Sequence, residues 1–170
     1  TNSALSLIKD GRAIILPSRA TGENVMPSVV RFLEDAGKKE GGVKVVVGEE
    51  ARLMALEDSD NTFSSVKRLM GRSLEELVKE KEIVGSLNMV RHTSREAEDE
   101  EGKEDGEEVV DFKATSVAMY CPALRREVTP EEVSAEILKT LLGDASAYLN
   151  QEINRAVITV PAYFTPAQCK

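Results

Sequence analysis

Residues 129–164 read TPEEVSAEILKTLLGDASAYLNQEINRAVITVPAYF: a helix start, a helix body and a short β-branched run in succession. Thr129 stands as an N-cap, Pro130 takes the first helical position, and Glu132 follows the cap by three residues to complete a capping box. Val133, Ile137, Leu138, Leu141, Ala145, Tyr148 and Leu149 recur at helical spacing, which predicts one apolar face through about residue 149. Arg155 to Val160 (RAVITV) is short, apolar and β-branched, so a buried central strand is expected there, ended by Pro161. A helix feeding such a strand belongs to an α/β or α+β architecture.

Upstream, the apolar runs Ser3–Ile8 and Ala13–Leu16 flank Asp10-Gly11, and Asp-Gly between two such runs predicts a hairpin. Val29–Leu33 and Val43–Val47 read as further strands, and Gly48–Glu57 as a short helix. Thr62–Gly71 carries Phe63, Val66, Leu69 and Met70 at the spacing of a helical stripe ending at glycine. Ser73 with Glu76 opens another helix to about Lys81, and Ile83–Val90 and Val109–Tyr120 read as strands. No internal repeat and no Gly/Ser linker divides the chain.

The 170 residues carry 22 bases against 30 acids, a net charge of -8. All of that excess lies in Glu96–Glu108 (EAEDEEGKEDGEE), where nine acids accompany one lysine; the rest of the chain is formally neutral. Such a run repels itself and stays solvated, so it reads as a disordered surface insertion joining two strands. The acidic balance argues against nucleic acid as a partner. No apolar stretch approaches the roughly 20 residues of a membrane span, so no membrane partner is expected.

By composition the chain offers little chemistry. Cys121 and Cys169 form no Cys-x-x-Cys pair and read as reduced thiols. His92 is alone, so no His/Cys metal cluster and no His-dependent triad can be assembled, and no metal ligands are assigned. Neither the dinucleotide glycine pattern nor the P-loop pattern occurs. Taken by spacing alone, Lys67 is a lysine on an amphipathic helix.

Seven segments, taken in order, change that picture: Thr1-Asn2-Ser3, Pro27-Ser28-Val29-Val30, Val47-Gly48, Asn61-Thr62-Phe63, Val66-Lys67-Arg68-Leu69-Met70-Gly71-Arg72, Pro130-Glu131-Glu132-Val133-Ser134-Ala135, and Ala156 through Phe164 (AVITVPAYF). Together they resemble the heat shock protein 70 chaperones of the DnaK type, across almost the whole chain. The resemblance implies an actin-like ATPase (ribonuclease-H-like) α/β fold, first lobe only, with a peripheral α+β subdomain. It divides residues 1–170 into a core at about 1–33 and 129–170 and a peripheral part at 34–128 that holds the acidic loop 96–108.

The same resemblance implies roles. Thr1 and Asn2 match the end of a phosphate-binding turn, where small side chains let backbone N–H groups approach an anion. Lys67 matches the catalytic lysine that stabilises charge on the γ-phosphate and positions water, as suits a reaction catalysed by positioning and electrostatics. Pro161 matches a switch proline linking nucleotide state to a peptide-binding domain. ATP and Mg are the implied cofactors. Unfolded polypeptide clients, a J-domain co-chaperone and a nucleotide-exchange factor are the implied partners, and the implied function is ATP-driven protein folding. The location implied is intracellular, cytoplasmic, with plastid or mitochondrion as the alternative.

Two alternatives stand beside this reading: a degenerate, non-catalytic lobe serving as a binding module, and a chaperone branch specialised for iron–sulfur cluster assembly. Cys169 stands where the family has an arginine, and cysteine lacks a guanidinium's fork of donors, which favours the first. Val25-Met26, in place of two threonines, leans to the second. With no initiating Met and a helix start at Thr165-Pro166 that has no body, the sequence reads as an internal fragment, inactive by itself. Deleting residues 96–108 is expected to leave the fold intact, checked by circular dichroism; loss of the folded spectrum would overturn the placement of the run on the surface.

Overall fold

The structure, a computed structural model, describes residues 1–35, 37, 42–72, 77, 89–91, 117–162, 164–166 and 169. It opens with β1 (Asn2–Ser3), the hairpin of β2 (Leu5–Lys9) and β3 (Arg12–Leu16), and β4 (Met26–Pro27), which pairs antiparallel with β1. Asp10 and Gly11 turn the hairpin with φ of 50° and 75°. A two-residue type I′ loop needs both angles positive, and it places Lys9 opposite Arg12 and Leu5 opposite Leu16.

The centre of the molecule is β5 (Val29–Asp35), hydrogen-bonded on one edge to β6 (Gly42–Val47) and on the other to β7 (Thr62–Ser64), both antiparallel. Strand alternation gives β5 two apolar faces. Val30 and Phe32 enter the main core with Phe63, while Val29 joins Val46 and Ala51 in a smaller cluster on the other side. Ala51 comes from helix α1 (Glu49–Met54), which covers that second face. Phe32 and Phe63 meet edge-on with ring centroids 5.8 Å apart. Burying each such side chain contributes about 1.5–3 kcal/mol.

Beyond it, β8 (Met89–Arg91), β9 (Val117–Cys121) and β10 (Arg126–Val128) form a second antiparallel sheet in the order β10-β9-β8. Helix α2 (Pro130–Leu149) follows and buries Val133 and Ile137 in the main core, against Val66, Leu69 and Met119. The capping box forms as read: Glu132 N–H donates to Thr129 Oγ1 (3.2 Å), and Thr129 N–H donates to Glu132 Oε2 (2.9 Å). Arg126 adds hydrogen bonds to both Glu132 oxygens at 3.0 Å. The helix ends with Asn150 in the left-handed region.

The two sheets are stitched by a polar chain. Arg31 on β5 bonds Asp58 Oδ2 (2.9 Å), and Asp58 Oδ1 accepts from Asn61 Nδ2 (2.8 Å). Asn61 Oδ1 in turn accepts from Ala123 N–H (2.7 Å), just past β9. Cys121 and Cys169 are both free.

Two expected elements are corrected. Thr62–Gly71 is not a helix: β7 occupies Thr62–Ser64 and only Val66–Arg68 coils, as a 3-10 turn. Thr62 and Phe63 favour strand, and pairing of Phe63 with Val30 outweighs the helical spacing of the stripe. Residues 155–160 are not a buried strand either: they lie in no ladder, and Val157 is 96% exposed. A buried strand is made by its neighbours, and among the described residues none pairs with this run. The acidic run, His92, and most of the helix expected from Ser73 and of the strands at 83–90 and 109–120 lie outside the described residues.

Gly48 is buried with φ of 89°, and a Cβ there would stand 2.8 Å from Met26 Cγ. Gly48→Ala is expected to cost about 1–3 kcal/mol, read as a lower urea midpoint with an unchanged slope. Burial alone would raise the Glu132 carboxyl, but the bonds from Arg126 and Thr129 hold it below the ordinary glutamate range. An acid depressed in the folded state stabilises above its unfolded value, and that contribution fades as pH falls through the folded one. Glu132→Gln should therefore lower stability at neutral pH, with the difference from wild type shrinking in acid, measured by urea unfolding across pH.

Candidate functional site

Thr1 and Asn2 are exposed at the start of the chain and held by backbone. Asn2 faces Pro27 in the β1–β4 pair, and the Thr1 carbonyl accepts from Ser28 N–H at 3.0 Å. Ser3 and Ser28 share a hydroxyl–hydroxyl bond of 2.9 Å. Ser28 immediately precedes β5, so the position of Thr1 is set by the end of the central strand.

Lys67 is exposed in the middle of the 3-10 turn Val66–Arg68. Its flanks are anchored, with Val66 4% and Leu69 1% exposed. Leu69 N–H donates to Val66 O (2.9 Å) and Arg68 N–H to Ser65 O (3.1 Å), closing the turn. Ser134 on α2 donates to Pro130 O (2.8 Å) and lies 3.7 Å from Met70 Sδ, so the turn rests on the first part of α2. Lysine at this point is a cation held outside a rigid apolar seat.

Antiparallel pairing brings these pieces to one end of one sheet. The register Val29↔Ser64 puts the start of β5 beside the end of β7, and Val30↔Val47 puts the end of β6 there as well. Ser28 with Thr1, Gly48, whose N–H donates to Val29 O (2.9 Å), and the Ser65–Lys67 segment all emerge at that end. Pro161 is not joined to it by any ladder among the described residues; it is half-buried, and its carbonyl accepts from Phe164 N–H (3.0 Å) in a turn.

The donors at this end are small: hydroxyls, an amide, backbone N–H groups and one ammonium. That set suits the oxygens of a phosphate. Among the described residues no three His, Cys, Asp or Glu side chains group to hold a metal ion. Ser28 and Gly48, which fix this end through the backbone, and Ser65, which begins the Lys67 turn, escaped the sequence reading. Only their place in the seven segments could have drawn attention to Ser28 and Gly48, and the backbone angle of Ser65 leaves no trace in the sequence.

The Hsp70 protein family model matches residues 1–170. The chain is 34% identical over 168 residues to heat shock 70 kDa protein 6, chloroplastic, of Arabidopsis thaliana. It is 38% identical over 168 residues to chaperone protein dnaK3 of Thermosynechococcus vestitus, and 33% identical over 168 residues to stromal 70 kDa heat shock-related protein, chloroplastic, of Pisum sativum. Each comparison takes in 99% of this chain but 19%, 20% and 20% of the relative, so the chain spans about a fifth of the length of the curated relatives it matches.

The seat and the cation separate by mutation. Leu69→Ala is expected to cost about 2–5 kcal/mol by leaving a cavity, while Lys67→Ala should change stability by less than about 0.5 kcal/mol. Urea unfolding of both variants checks this.

Proposed function

The chain belongs to the Hsp70 family, and from that membership we propose that it forms part of the nucleotide-binding domain of an ATP-dependent molecular chaperone. In the full-length protein, ATP binding and hydrolysis would drive cycles of binding and release of unfolded polypeptides. A J-domain co-chaperone and a nucleotide-exchange factor would act with it. The observation that carries this reading is the convergence of Thr1, Asn2 and Lys67 at one end of the β5 sheet.

In this proposal Thr1 and Asn2 present small polar groups and backbone N–H donors to the phosphates. Lys67 supplies a compact positive charge where negative charge gathers on the transferred phosphoryl group, and it helps orient the attacking water. Such electrostatic placement is the main lever available to a protein in phosphoryl transfer. The metal ion expected with ATP would be held by the phosphates and by groups outside the described residues. Pro161 would relay nucleotide state through the turn it closes with Phe164.

The proposal keeps the core at 1–33 and 129–170 and the periphery at 34–128, with β5 crossing between them. The chloroplast named for the Arabidopsis and pea relatives supports a plastid location for this protein. The chaperone named for the Thermosynechococcus relative supports a chaperone role. Cys169, exposed at the arginine position of the family, favours the non-catalytic binding module as second reading.

Lys67→Ala in the full-length protein should lower single-turnover ATP hydrolysis by about 10²-fold or more while ATP affinity, measured by calorimetry, changes little. Undiminished hydrolysis would remove Lys67 from the mechanism. Absence of any binding heat with ATP in the wild type would favour the binding module instead.

A further inference from the structure

Four non-glycine residues among those described have positive φ: Asp10, Ser65, Arg125 and Asn150. Three are accounted for by their positions. Asp10 turns the β2–β3 hairpin, Arg125 closes the 3-10 turn Pro122–Leu124, and Asn150 ends α2. Hairpin loops and helix C-termini are where the left-handed region is used routinely.

Ser65 has neither excuse. It is the N-cap of the turn that carries Lys67, with φ of 57° and ψ of 19°, and its side chain makes no capping bond. An N-cap is ordinarily extended, as Thr129 is before α2 (φ -88°, ψ 158°). A strained residue that no cap or hairpin explains points to something the surrounding structure holds in place.

What it holds is the phase of the chain. In β7, Phe63 points into the core and Ser64 outward. Continued alternation would send Ser65 and Lys67 inward and Val66 outward. The left-handed step at Ser65 reverses this, so that Val66 is buried and Lys67 exposed.

We infer that Ser65 is a positioning residue, whose left-handed backbone puts Lys67 outside the core at the end of the sheet where Ser28 holds Thr1. The inference rests on the reading of Lys67 as the lysine of ATP hydrolysis. Ser65 acts through the backbone and touches no substrate. The side chain it needs is any that tolerates positive φ, and the residue it cannot accept is β-branched.

The test uses the full-length protein and separates rate from affinity. Ser65→Val, disfavoured at positive φ, should lower single-turnover ATP hydrolysis by about tenfold or more with ATP affinity retained. Ser65→Gly and Ser65→Asn, which accept that backbone, should keep the wild-type rate. If Ser65→Val does not fold by circular dichroism, Ser65→Thr decides, since it is β-branched but keeps the hydroxyl: a rate below that of Ser65→Gly supports the inference, and an equal rate overturns it.

In a Lys67→Ala background, adding Ser65→Val should cause no further loss, because the serine works through the lysine. A further loss of the same size overturns the inference. If Lys67→Ala itself keeps full turnover, the reading of Lys67 fails and this inference falls with it. If Lys67→Ala loses turnover and Ser65→Val does not, the positioning role alone is wrong.

Discussion

The register of β5 is the constraint on which the remaining structure depends. This strand is paired on both edges and covered on both faces, with Val30 and Phe32 in the main core and Val29 against Val46 and Ala51. A slip of one residue would exchange the two faces and bring Arg31 to the side of the aromatic pair, so the register is strongly specified. Everything at the candidate site hangs from the first residues of that strand. Ser28 fixes Thr1, Val29 fixes Gly48, and the pairing of Val29 with Ser64 fixes where the Lys67 turn begins.

Around this strand the molecule divides its labour between apolar packing and a part-buried polar thread. Arg31, Asp58 and Asn61 run from β5 to the backbone beyond β9, and each partner satisfies the next. Desolvation offsets much of what a largely buried ion pair contributes, so the thread acts chiefly by fixing the alignment of two sheets. Burial pushes the Cys121 thiol up. Its Sγ lies 3.6 Å from Asn61 Oδ1, which makes it a packing residue rather than a reactive one.

Much of this was legible in the residues, and the reason is locality. The Asp10-Gly11 hairpin, the capping box at Thr129 and Glu132 and the helix through Leu149 each depend on groups a few residues apart. The strands at Val29 and Val43 were legible because both are β-branched runs bounded by turns. Where a segment's state depends on a distant partner, the reading failed. The stripe Phe63, Val66, Leu69 and Met70 fits a helix by spacing, yet Val30 claims Phe63 for a sheet. The run Arg155–Val160 has strand composition and, among the described residues, no strand beside it.

The candidate site divides the same way. Lys67, Thr1, Asn2 and Pro161 were named from family motifs, which mark residues without saying which of them meet. By itself the sequence determined the hairpin, the capped helix, the family and the confinement of the net charge to residues 96–108. Only the tertiary structure decided that Thr1 and Lys67 share one end of a sheet while, among the described residues, no ladder ties Pro161 there, and that Ser65 adopts a left-handed backbone. The physical reason is that capping and turn preferences are properties of neighbouring residues. Pairing register and chain phase are instead settled by contacts between residues far apart in the chain.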